Sequence, residues 1–146
     1  MKILVVGGGG REHSLVWKLA GDSRKPELFC APGNAGTAAI ATNLAIEADN
    51  IDGLLDWARI HRPDLTIVGP EAPLCGGLTD AFNEDGLRVF GPNRAAARLE
   101  GSKTFAKDVM KAGGVPTAAA AAFTDIADAR SYLATVPFPV VIKADG

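Results

Sequence analysis

Four consecutive glycines, Gly7 to Gly10, stand between the apolar run "KILVV" (residues 2 to 6) and the charged triplet Arg11-Glu12-His13. Glycine has no Cβ, so its backbone N–H can approach an anion closely, and a helix starting at Arg11 adds the positive end of its dipole. The chemistry that this combination suits is phosphate binding. Two more loops have a similar character: "APGNAGTA" (31 to 38), with Asn34, and "GPEAPL" (69 to 74), with Glu71. Singly, each reads as a turn, since Pro32-Gly33 suits a type II turn and Glu71 a loop acid or first-turn helix charge. Three such loops on one edge form a pocket, with a phosphate at the glycines and hydrogen-bonding groups opposite. That arrangement suits a phosphosugar carrying hydroxyls and an amine. No Ser-His-Asp set, Cys-His pair or metal cluster stands at a recognisable spacing, so this half of the chain reads as built to bind.

A dinucleotide fingerprint makes further demands. Counted from Gly8 or Gly7, its third glycine falls on His13 or Glu12, neither of which allows close packing of helix on strand. The ribose-binding acid, about twenty residues further on, falls near Cys30 and Ala31. Both requirements fail, which favours another phosphate-bearing small molecule over a nicotinamide or flavin dinucleotide.

The elements that must position these loops alternate in type. Continuous apolar runs at 2–6, 27–31, 65–69 and 87–91, with a weaker one at 43–47, read as strands, those at 2–6 and 65–69 as buried ones. Between them, helices are expected from Arg11 to Gly21, from Asn50 to His61 and from about Cys75 to Asp85. The second carries Ile51, Leu54, Leu55, Ala58 and Ile60 on one broad face, and its His61 reads as a last-turn residue favoured by the dipole. Short strands alternating with helices point to an α/β doubly wound, mostly parallel sheet. Past Pro92 the pattern changes to two short helices split at Gly101-Ser102, the second capped by Ser102 and stopped at Gly113-Gly114. "TAAAAAF" (117 to 123) fits a helix or a strand. A helix over Ile126 to Leu133 and a strand "FPVVIKA" (138 to 144) complete the reading, and the ending at Asp145-Gly146 looks like a chain cut short.

Composition excludes several partners. The 146 residues carry 15 Lys+Arg against 17 Asp+Glu, a formal net charge of -2, which provides no basic field for nucleic acid or an anionic membrane. Cys30 and Cys75, the only cysteines, read as free thiols in a reducing cytosol. The apolar run at the N-terminus is too short for a signal peptide or a membrane span, and the expected location is the cytoplasm.

The stretches "VGGGGREHSLVWKLA", "APGNAGTA", "DLTIVGPEAPL", "FGPNRAAARLEGSKTFAKD" and "PVVIKADG" closely resemble, in that order, the phosphoribosylamine-glycine ligases (glycinamide ribonucleotide synthetases) of purine biosynthesis, in the ATP-grasp superfamily. The resemblance covers essentially the whole chain. It implies a Rossmann-like pre-ATP-grasp domain over 1–92 that binds 5-phosphoribosylamine, then a linker and the incomplete start of an ATP-grasp domain over 93–146. It also implies ATP and Mg2+ as cofactors, and glycine activated as glycyl phosphate. On these residues, Gly8, Gly9, Gly10, Arg11 and His13 would face the substrate phosphate, and Asn34 and Glu71 its sugar or amine. Lys103 and Lys143 would meet the ATP phosphates, with Glu100, Ser102 and Lys107 flanking them. From the residues alone, Lys103 and Lys107 read instead as a solvated helix face. The family's flap, adenine pocket and acidic metal ligands lie beyond "KADG", so the expectation is a chain that binds phosphosugar at most and holds no complete catalytic set. An NAD-binding dehydrogenase fragment and a non-enzymatic phosphosugar-binding module are the alternatives.

Overall fold

The run of β-branched and leucine residues at the N-terminus forms β1 (Lys2–Gly7), the central strand of a five-stranded sheet. The computed structural model describes residues 1–145. Along the chain follow α1 (Gly10–Ala20), β2 (Glu27–Pro32), a single 3-10 turn (Thr37–Ala39), β3 (Thr42–Asn43), α2 (Ile51–His61), β4 (Leu65–Val68), α3 (Glu71–Gly76), α4 (Leu78–Glu84) and β5 (Val89–Phe90). Then come α5 (Arg94–Gly101), α6 (Lys103–Ala112) and α7 (Ile126–Leu133). The chain divides into two compact units, Met1–Ala97 and Arg98–Gly146.

In the first unit all strand pairs are parallel and the order is β3-β2-β1-β4-β5. Residues of β1 alternate between two cores, as a pleated strand requires. Ile3 and Val5, with Leu28 and Cys30 of β2, pack against Val16 of α1. Leu4 and Val6, with Val68, pack against Leu54 and Ala58 of α2 and against Leu74, Leu78 and Phe82 of α3 and α4. Asn50 caps α2 by accepting from the Gly53 N–H at 3.0 Å. The expected α2 face holds at Leu54 and Ala58, but Ile60 is exposed, because at 100° per residue it lies about a third of a turn off the Leu54 direction. His61 stacks on Trp57 with ring centroids 4.5 Å apart.

Three expectations change on folding. The single helix expected over 75–85 is two, because Gly77 takes a left-handed φ of 99 that ends α3 and starts α4. The 43–47 strand shrinks to Thr42–Asn43, an edge strand paired on one side with Phe29 and Cys30. In the second unit Ser102 caps α6 as expected, accepting from the Phe105 N–H at 3.1 Å. However, residues 138–144 form no strand, and "TAAAAAF" is neither helix nor strand. An apolar run becomes a buried strand only with a ladder partner on each side, and none of the described residues of this unit pairs with it. Val141 is accordingly 81% exposed.

Phe82 is fully buried between the sheet and α2. Phe82→Ala is expected to destabilise the first unit by about 3–5 kcal/mol, read by urea denaturation, whereas Trp17→Ala, on an exposed face of α1, stays within about 0.5 kcal/mol of the parent.

Candidate functional site

Parallel strands of this order reverse their winding between β1 and β4, and the loops after those two strands diverge there to leave a crevice. The glycine loop follows β1 and the Gly69–Glu71 loop follows β4, so both stand at the switch point. Backbone bonds knit the region: the Gly69 N–H donates to the Val6 carbonyl at 3.0 Å and the Gly33 N–H to the Gly7 carbonyl at 3.2 Å. The three polar loops of the sequence therefore meet at the carboxyl edge of the sheet.

The four glycines are not equivalent. Gly7 has a left-handed φ of 126, and a Cβ there would stand 2.6 Å from Glu12 Cγ. A Cβ on Gly8 would stand 2.7 Å from the Gly33 carbonyl oxygen, and one on Gly9 2.9 Å from Glu12 Oε2. Gly10, the first residue of α1, is different: nothing lies within 4 Å of the position its Cβ would take. The first three are required by the packing of the loop. The fourth opens the start of an 11-residue helix to the surroundings.

Glu12 lies at the centre of this packing, and sequence reading gave it no role. It is 4% exposed and shares the inward stripe of α1 with Val16, four residues on. Its Oε2 accepts from the Gly9 N–H at 2.7 Å, the carboxylate half of a capping box. Its Oε1 is buried without a hydrogen-bond partner among the described residues, and the Arg11 Nε lies 3.7 Å away. Arg11 Nη1 donates to the Gly69 carbonyl at 2.9 Å, so the guanidinium ties the first turn of α1 to the end of β4. The available signal was the spacing: Glu at the third helical position behind a glycine cap is a capping-box pattern.

Asn34 stands opposite the glycines with both polar atoms engaged. Its Nδ2 donates to the Gly8 carbonyl at 2.9 Å, and its Oδ1 accepts from the Gly36 and Thr37 N–H groups at 2.8 and 3.0 Å. It holds the second loop against the first. His13 is half-buried with its imidazole over the Cα of Gly36, where a Cβ would overlap the ring. Glu71 is exposed at the first residue of α3. Below the loop, burial raises the pKa of the Cys30 thiol, and the nearby charge of Glu12 acts in the same direction. That thiol donates to the Gly7 carbonyl at 3.3 Å. The end of β2 presents Cys30, Ala31 and Pro32, with no carboxylate for a dinucleotide ribose.

The remaining candidates lie in the second unit. Lys103 is the exposed first residue of α6, and Lys143 is exposed in the segment after α7. Neither ammonium makes a hydrogen bond or ion pair among the described residues. The Asp145 carboxylate accepts from the Thr104 N–H at 3.1 Å and from the Ser102 hydroxyl at 3.1 Å, which brings the two lysine-bearing stretches to the same helix start. Those bonds, the Thr104 N–H first, hold Asp145 below the ordinary carboxylate range. Lys107 donates to Thr117 Oγ1 and the Ala118 carbonyl, both at 2.7 Å, so it pins a neighbouring segment. Glu100 is exposed. Among the described residues no group of three His, Cys, Asp or Glu side chains gathers as a metal site, and no helix is long and apolar enough to cross a membrane.

Sheet order, switch point and glycine loop define the first unit as a doubly wound α/β domain of the Rossmann-like kind. Solved structures agree on the class. The structure described as glycinamide-RNase-transformylase T from Mycobacterium tuberculosis shares the fold at 17% identity, with a TM-score of 0.69 over 95% of this chain and 40% of that one. A family model described as "Phosphoribosylglycinamide synthetase, N domain" matches residues 1–100, and its "ATP-grasp (A) domain" counterpart matches 101–146. The chain belongs to the phosphoribosylglycinamide synthetase family. It is 56% identical to the phosphoribosylamine-glycine ligase of Allochromatium vinosum and 51% identical to that of Escherichia coli O157:H7, in each case over its whole length. It spans about a third of those relatives, 35% and 34% of their lengths. The crystal structure of the Thermotoga maritima phosphoribosylamine-glycine ligase matches at 32% identity and a TM-score of 0.58, over 82% of this chain and 26% of that one.

The inequality of the glycines is testable by stability. Gly7→Ala and Gly69→Ala place a methyl against the Glu12 carboxylate and are expected to cost about 1–3 kcal/mol or more each. Gly10→Ala meets nothing and lies in a helical position, so it is expected to stabilise by about 0.4–1 kcal/mol. Thermal denaturation of the three variants checks the order.

Proposed function

We propose that this chain is the phosphosugar-binding portion of an ATP-dependent ligase that joins glycine to 5-phosphoribosylamine through glycyl phosphate in purine biosynthesis. One observation carries the reading. At the switch point, Gly10 is the one residue of the glycine loop whose missing side chain no protein neighbour requires, at the start of a long helix with Arg11 beside it. A backbone left bare on its outer side, next to a cation and a helix dipole, suits a phosphate that must approach closely.

In this reading Gly8, Gly9 and Gly10 form the wall against the substrate phosphate, and the free N–H groups at the start of α1 donate to it. Arg11 supplies the matching charge, and His13 stands behind on the same helix. Asn34 contributes by fixing the second loop, since its amide is already committed to backbone partners. Glu71, exposed and beside the same crevice, is the acceptor for the amine or a ribose hydroxyl. Residues 1–92 make up this binding domain, and 93–146 are the linker and the first part of the ATP-grasp domain. ATP supplies the phosphoryl group that turns a glycine carboxylate oxygen into a leaving group, with magnesium neutralising its charge. Lys103 and Lys143 are the cations of this chain that would meet the ATP phosphates. The chain alone is proposed to bind without turning over. Two unpaired thiols suit a cytoplasmic setting.

Thermal shift measurements with ribose 5-phosphate, glycinamide ribonucleotide, NAD and Mg-ATP test the reading, because a ligand of the folded state raises its melting temperature. Protection by the two phosphosugars and not by NAD is expected. Gly10→Ala is expected to weaken ribose 5-phosphate binding by about tenfold while leaving the fold at least as stable, a loss of about 1.4 kcal/mol at the site. Protection by NAD alone, or by none of the four, refutes the phosphosugar assignment. Steady ADP formation dependent on glycine and phosphoribosylamine by this chain alone refutes the claim that it does not turn over.

A further inference from the structure

Glu12 is an anomaly by the ordinary rules of helix packing. It sits on the inward stripe of α1, where Val16 is fully buried and an apolar residue would serve. A carboxylate there gives up its hydration, and one of its oxygens recovers no hydrogen bond, a combination that native structures rarely keep without a reason. Its negative charge also lies beneath the place where a phosphate would bind, which by itself opposes an anion. The bond to the Gly9 N–H accounts for Oε2; the cost at the orphan Oε1 is offset only if that oxygen does something an apolar group cannot.

The geometry points to Glu12 as a positioning residue that aims Arg11 at the phosphate, an inference that rests on the phosphosugar reading above. The Glu12 Oε1 faces the Arg11 Nε at 3.7 Å while Arg11 Nη1 is tethered to the Gly69 carbonyl at 2.9 Å. Two of the three guanidinium nitrogens, Nε and Nη1, thus face one charge and one carbonyl. Nη2 has no partner among the described residues, and the side chain is 68% exposed. A planar cation held at two of its nitrogens presents the third, Nη2, to an anion without further loss of side-chain freedom. Glu12 Oε2 meanwhile turns the Gly9 N–H inward, so the N–H groups left for a ligand are those of the first helical turn, on the side of Arg11. The orphan oxygen and the like charge are then two aspects of one device: the carboxylate holds the arginine, and the arginine shields the phosphate from the carboxylate.

Two arms on this chain test the inference. Without ligand, the Arg11 Nε–H order parameter is measured by NMR in the parent and in Glu12→Gln, which keeps an oxygen for the Gly9 N–H but removes the charge facing Arg11. A clear fall in order supports the device, and an unchanged value overturns it. With ribose 5-phosphate as the probe, Glu12→Gln is expected to weaken binding by about tenfold when Arg11 is present and by less than about twofold in Arg11→Ala. Equal weakening in both backgrounds overturns the inference, because a loop that merely sags would not distinguish them. Should Glu12→Gln unfold, Arg11→Lys serves in its place. Lysine cannot donate to Gly69 and to the phosphate from one planar group, so a tenfold loss is expected, and parental affinity for the probe overturns the inference. If the parent chain ignores ribose 5-phosphate while the ligand-free arm shows ordered Arg11 released by Glu12→Gln, the phosphosugar reading fails and the Glu12 to Arg11 coupling stands.

Discussion

The Glu12 carboxylate beneath the glycine loop is the constraint around which the carboxyl edge of the first unit's sheet is organised. It takes the Gly9 N–H and crowds the Cα atoms of Gly7 and Gly69. Two loops from neighbouring parallel strands are thereby fixed to the first turn of one helix. At Gly69 the three atoms nearest a Cβ all belong to Glu12, whereas Gly7 is also specified by its left-handed φ of 126 and by Pro70 Cδ, 2.9 Å from where its Cβ would stand. The Asn34 amide plays the complementary part on the other flank, tying the glycine carbonyls to the loop after β2. Between these two clamps the loop has little freedom left, which is the condition for a preorganised anion site.

Topology explains why these clamps fall together. In a parallel sheet ordered β3-β2-β1-β4-β5 the chain leaves β1 in one direction and later returns to add β4 on the other side. The helices after β1 and β4 therefore start side by side at the carboxyl edge with no crossover between them. That arrangement is shared with dinucleotide-binding domains, so topology alone does not choose the ligand. Side chains argue against a dinucleotide: Glu12 fills the space a third fingerprint glycine would leave open, and β2 ends on Cys30, Ala31 and Pro32 where a ribose would need an acid.

Much of this was legible from the residue string, and what was not has identifiable causes. The apolar runs at 2–6, 27–31 and 65–69 became strands because each is paired on both sides or completely covered, so burial and propensity agreed. The run at 138–144 is as apolar at Val140, Val141 and Ile142 but has no ladder partners among the described residues, and composition cannot report a missing neighbour. Gly77 was hidden for a different reason. Within "APLCGGLTD" a helix pattern continues across both glycines, and only the left-handed φ at the second reveals the break. At the site, the three loops and their polar residues could be named in advance, but the division of labour could not. Asn34 and Glu71 looked alike as polar loop residues; folding commits the first to backbone and leaves the second exposed.

Glu12 shows most clearly where sequence reading stops. As a letter between Arg11 and His13 it reads as one more charge in a solvated first turn, the ordinary place for an acid. Its burial follows from the phase of α1, which sets residues 12 and 16 on the stripe facing β1. That phase is fixed by where the helix starts, and the start is fixed in turn by the glycine cap. The four glycines therefore do more than let the loop close: by setting the first turn, they determine which of Arg11, Glu12 and His13 faces inward. A shift of one residue in the helix start would turn Glu12 about 100° away from the stripe, and with it the tie to the Gly9 N–H. The glycine run and the triplet behind it are one physical unit, and the identity of each residue in it is intelligible only from the direction its neighbours force on it.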